Sequence, residues 1–127
     1  MYTNEERNII KNNIKMIENY CKNEIAPLID YYVYVDFSET QYRKSDNSPY
    51  RQHFSFYVDK KGVVKFTMGI QTYVFDENYE RTESSVSAYD SLSVEPLLLR
   101  WQTVKTKLLN EIRKQQQTKS AILNFQI

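Results

Sequence analysis

"DYYVYVDF" (residues 30–37) sets Tyr31, Val33, Val35 and Phe37 on one side of an extended chain and Tyr32 and Tyr34 on the other. Period-two alternation of this kind predicts a β-strand with one face against a core. The second face, which a sheet ordinarily gives to water, is here as aromatic as the first. Whether that face stays open decides what the molecule presents to its surroundings.

Working outward, the strand is expected to run from about Tyr31 to Arg43, and "KSDNSPY" (44–50) is a loop by composition. "QHFSFYVD" (52–59) follows as a second strand with Phe54, Phe56 and Val58 inward and His53, Ser55 and Tyr57 outward. "DKKG" closes a hairpin, with Gly62 at the left-handed position. The third strand, taken as one run over 64–75, has Val64, Phe66, Met68, Ile70 and Val74 on the core face. Its other face then carries Lys65, Thr67, Gly69, Gln71, Tyr73 and Phe75. After a turn at "DEN" (76–78), residues 79–90 form a weaker edge strand rich in Ser and Glu.

Helices flank these strands. Thr3 and Glu6 have capping-box spacing, and Ile10, Ile14, Ile17, Cys21 and Leu28 recur at helical spacing, widened by Ile9, Tyr20 and Ile25. Asn13 and Glu24 fall within that apolar arc. Pro27 ends or kinks the helix between about 23 and 26, because it lacks an N–H and crowds the preceding turn. A second helix is expected from near Ser93, with Pro96 in its first turn and Leu97, Trp101, Val104, Leu108 and Ile112 as its stripe. It fades through "KQQQTKS" (114–120), and the tail "AILNFQI" (121–127) alternates as an extended segment.

The expected fold is α+β: a two-layer sandwich with a four-stranded antiparallel sheet and both terminal helices on one face, in the order α-β-β-β-β-α plus a short extended tail. A chain of 127 residues fits one domain, 1–127, and at this size folding removes roughly two thirds of the unfolded surface from water. The lone cysteine, Cys21, excludes an intramolecular disulfide, and no stretch is apolar enough to span a bilayer, so a cytoplasmic protein without membrane contact is expected. Asn, Lys, Ile and Tyr supply 42 residues, against two Gly and three Pro. That usage fits an AT-rich genome such as a low-GC bacterium or its phage.

Chemistry-bearing motifs are sparse. Cys21 and His53 are the only candidates for nucleophilic catalysis, and the sheet is expected to separate them, so no catalytic residues are assigned. Asp30, Asp36 and Glu39 flank the first strand and Glu77, Glu80 and Glu83 the edge hairpin, spread out rather than pocketed. One His and one Cys do not make a zinc site, and two glycines do not make a phosphate loop, so no metal and no cofactor is expected.

Two surface features remain. The outer sheet face would gather Tyr32, Tyr34, His53, Tyr57, Gln71, Tyr73 and Phe75, an aromatic and charge-poor set of the kind found at interface cores. Arg100, Lys107 and Lys114 are seven apart and form a ridge on the second helix, the alternative being nucleic-acid binding there. A small-molecule pocket lined by Asn13 or Glu24 is a further alternative. The expectation is a small non-enzymatic interaction protein, an inhibitor, adaptor or sequestering partner of a protein target. An accessory protein of a phage or mobile element, blocking a host defence enzyme, is one example. Homo-oligomers through the sheet face or the C-terminal tail fit the same surface.

Overall fold

The computed structural model describes residues 1–127. The first helix, α1 (Asn4–Tyr20), begins at the expected capping box: Thr3 Oγ1 accepts from the Glu6 N–H, and the Glu6 carboxylate accepts from the Thr3 N–H. Two donors that the first turn would leave unpaired are thereby satisfied. The helical path does not stop before Pro27. It widens into a π turn over Cys21–Ile25 and then tightens into a 3₁₀ turn over Ala26–Leu28 that holds Pro27 near its start. The wider turn re-aims the stripe, so Cys21, Ile25 and Ile29 are buried while Leu28 is exposed.

Five strands form one sheet in sequence order: β1 (Tyr32–Tyr42), β2 (Pro49–Asp59), β3 (Val64–Met68), β4 (Gln71–Val74) and β5 (Ser85–Ser87). The first three junctions are antiparallel, and β5 joins β4 in parallel. The first strand pairs without a bulge through all of Tyr32–Tyr42 opposite Asp59–Pro49.

The expected long third strand is two strands. Gly69, at φ +63°, and Ile70 form a two-residue turn between Met68 and Gln71, with glycine at the first central position as a type II′ hairpin requires. Reversal at that point changes the parity of every residue after it. Tyr73 therefore sits opposite Phe66 and Val86 on the core side, and Val74 sits opposite Lys65 on the outer side. Tyr73 and Phe75 are buried core residues instead of outer-face aromatics, and Gln71 turns to the same side.

The expected edge strand over 79–90 shrinks to β5. Residues 75–84 make the connection that lets β5 lie parallel to β4, with Phe75 in the core and Glu77 paired with Lys15 of α1. This connection buries Val74, Ser85 and Ser87, with the Tyr79 hydroxyl bonded to Ser85 Oγ and Ser87 Oγ donating to the Asp76 carbonyl.

After β5 come α2 (Glu95–Leu99), with Pro96 in its first turn, and α3 (Trp101–Leu123), separated by Arg100 at φ −112°, ψ 17°. The tail is not extended. The run 113–123 contains no Gly or Pro, and α3 continues to Leu123, where Asn124 Nδ2 donates to the Ser120 carbonyl. Gln115 Nε2 donates to the Tyr32 carbonyl and Lys119 pairs with Asp30, tying the outer half of α3 to the start of β1.

Both long helices cover the same sheet face. Ile14, Ile17, Cys21 and Ile25 from the N-terminal helical segment and Val104, Leu108 and Ile112 from α3 share one core with Val33, Phe54, Phe56, Phe66, Tyr73 and Phe75. Phe54, Phe56, Phe66 and Phe75 are almost fully buried, each contributing about 1.5–3 kcal/mol by removal from water.

Candidate protein-binding face

The uncovered side of the sheet begins at β1. Tyr32 and Tyr34 are 54 % and 47 % exposed because Val33 and Val35, between them, face the core. Tyr34 stands directly opposite Tyr57 on β2, and Tyr57 stands opposite Lys65 on β3. The Tyr57 ring leans diagonally onto Tyr32, stacked at 5.8 Å between centroids, and Lys65 Nζ lies 5.6 Å from its centre on the other side. Three strands thus contribute to one row of rings ending in a cation.

Burial and the neighbouring Asp59 raise the Tyr57 phenol above its ordinary value, so it is neutral at physiological pH and its hydroxyl donates to Asp59 Oδ2 at 3.4 Å. His53 is exposed on the same face, four residues along β2 from Tyr57 and opposite Ser38. Of the seven residues expected on this face, Tyr32, Tyr34, His53 and Tyr57 are together there, and Gln71, Tyr73 and Phe75 are on the other side.

A wall that periodicity did not foretell stands beside the rings. The outer half of α3 runs along the edge of β1, leaving a groove of about 700 Å³ lined by Tyr31, Tyr32 and Tyr34 opposite Gln115, Ile122 and Leu123. Ile122 and Leu123 are 68 % and 74 % exposed. The signal available was the uninterrupted helix-forming composition through Leu123, outweighed there by the alternation of the last seven residues.

The basic ridge is broken by pairing. Arg100 is engaged with Glu39, and its guanidinium also donates to the Pro96 carbonyl. Lys107 and Lys114 remain exposed, flanking a smaller groove of about 360 Å³ that also contains Asp36 and Glu111. A phosphate backbone would meet two carboxylates there. Asn13 lines a shallow cleft of about 300 Å³ with Met16, Tyr20, Leu98 and Trp101, whereas Glu24 is exposed outside it.

Cys21 and His53 lie on opposite sides of the sheet. Burial, reinforced by the Glu18 carboxylate, pushes the Cys21 thiol up to about 12, which leaves it unionised and unreactive. The one buried carboxylate, Glu18, was not foreseen. Its Oε1 accepts from the Tyr89 hydroxyl at 2.7 Å, and Lys15 and Lys22 reach its two oxygens at 3.9 and 3.5 Å. Each of its partners is accounted for within the fold, so it braces α1 against the segment after β5. No helix is long and apolar enough to cross a membrane. No family model, no curated protein and no solved structure matches this chain.

Proposed function

We propose that this chain is a small non-enzymatic interaction protein that binds a protein target through the outer face of β1 and β2, with Tyr32, Tyr34 and Tyr57 as anchors. The observation that carries this is the exposed, stacked tyrosine row beside an open groove. A tyrosine removes much apolar area from water while its hydroxyl keeps a polar partner, and it loses little conformational freedom on docking. His53 and Lys65 at the margins supply direction. The proposed role is that of an inhibitor, adaptor or sequestering partner, each of which acts through surface contact. A buried thiol without a disulfide partner supports a reducing compartment such as the cytoplasm.

The test is affinity capture from the native host with the wild-type chain and with the Tyr34→Ala/Tyr57→Ala double variant as baits. A protein retained by the first and lost from the second, at unchanged melting temperature, supports the proposal. Identical captures with the two baits would overturn it.

A further inference from the structure

The free edge of β1 has the features of a strand that pairs with a copy of itself. The Lys60 N–H donates to the Tyr31 carbonyl at one end and the Arg43 N–H to the Ser48 carbonyl at the other. Odd-numbered residues of this ladder therefore direct their backbone groups toward β2. Even-numbered residues direct theirs away from the sheet. Gln115 takes the Tyr32 carbonyl, and the N–H and C=O groups of Tyr34, Asp36, Ser38 and Thr40 face outward along the edge. The strand has no Pro, no Lys and no bulge, and what restrains its edge is the inward Glu39, held by Arg100, and α3 alongside its Tyr32 end.

We propose that two copies join antiparallel through β1 about a twofold axis at Ser38, making one continuous ten-stranded sheet. Centring the axis on Asp36 or on Glu39 would set like carboxylates opposite each other, which is unfavourable. With the axis at Ser38, Tyr34 is opposite Tyr42 of the second copy, and Asp36 is opposite Thr40. Within each copy Thr40 is also opposite Arg51 on β2. Arg51, Thr40 and Asp36 of the second copy then share a row. Strands are about 4.8 Å apart, so the outer two backbones of that row are about 10 Å apart, within the combined reach of the two side chains. Arg51 already extends toward the edge, where its Nη2 donates to Ser38 Oγ at 2.6 Å. No carboxylate pairs with Arg51 inside one copy and no cation pairs with Asp36. The twofold axis supplies both residues with partners, twice.

The ladder spans Tyr34 to Tyr42, so the Gln115–Tyr32 bond is kept, and a groove of about 360 Å³ separates its Tyr34–Asp36 end from Lys107 of α3. This pairing goes beyond the protein-target proposal and does not depend on it.

The full chain is examined by light scattering over a concentration series reaching the millimolar range. Wild type dimerises. Asp36→Arg weakens the dimer about tenfold or more, because it places a cation beside Arg51 of the second copy. The double reversal Asp36→Arg/Arg51→Asp restores it. Thr40→Pro abolishes the dimer yet leaves circular dichroism and melting of the monomer intact, since the Thr40 N–H faces the edge and makes no bond to β2. A wild-type monomer throughout the series overturns the proposal. So does a dimer indifferent to both Asp36→Arg and Thr40→Pro, which would place the contact elsewhere, as at the apolar end of α3.

Discussion

The Tyr89 hydroxyl donates a 2.7 Å hydrogen bond to Glu18, joining the last turn of α1 to a segment 71 residues later in the chain. Glu18 is 4 % exposed, and Lys15 and Lys22 offset its charge from the solvent side. Removing the hydroxyl leaves a buried carboxylate short of a donor. Tyr89→Phe is therefore expected to lower stability by roughly 1.5–3 kcal/mol at pH 7, read from urea unfolding.

The same contact gives a pH dependence. Burial first, and the Glu18 hydrogen bond second, raise the Tyr89 phenol well above its unfolded value of 10.0. A raised folded-state value means that the protonated form is the stabilised one. Its contribution is complete below pH 10 and declines as pH rises beyond the unfolded value toward the folded one. The wild-type advantage over Tyr89→Phe should hold constant from pH 7 to 9 and shrink in urea titrations above pH 10. An advantage that grows with alkaline pH would contradict the assignment.

Cys21 lies within the core, its thiol pushed up to about 12 mainly by burial. A thiol-specific reagent at pH 8 should leave the folded chain unmodified and label it stoichiometrically once denaturant unfolds it. Rapid labelling of the native chain would show the helix stripe to be open at that point.

The turn at Gly69 and Ile70 decides which aromatics are structural. Phe75→Ala should cost about 3–5 kcal/mol, as for a buried ring packed edge-on against Phe56, and Tyr34→Ala less than about 1 kcal/mol. Paired thermal melts of the two variants read the difference directly. Equal effects would mean that both rings face the same environment.

Much of this architecture was legible in the residues. The Thr3–Glu6 box, the isoleucine stripe of α1, the Phe54/Phe56/Val58 alternation and the stripe from Leu97 to Ile112 each satisfy a local physical rule that the packed structure also satisfies. The errors have local causes as well. "TMGIQTYVF" (67–75) alternates acceptably as one strand, and a single glycine is weak punctuation, yet a two-residue turn there exchanges the faces of everything downstream. Tyr73 and Phe75 were thereby misplaced, and with them almost half the expected aromatic face. The parallel β5 depends on a crossing that no periodicity encodes. For "AILNFQI" alternation and helix propensity compete over a short window, and tethering of α3 by Gln115 and Lys119, a tertiary effect, accompanies the helical outcome. Glu18 lies at the margin of the isoleucine stripe, four residues after Ile14 and three before Cys21, but the Tyr89 hydroxyl that partners its carboxylate comes from far along the chain.

The most direct test of the central claim is the dissociation constant of the purified target for three forms of the chain: wild type, Tyr34→Ala/Tyr57→Ala and Lys107→Glu/Lys114→Glu. Loss of two anchoring rings should weaken binding about 30-fold or more, while the lysine reversals change it less than about threefold. Unchanged affinity after loss of the rings, or a loss confined to the lysine variant, would move the contact to α3 and contradict the account.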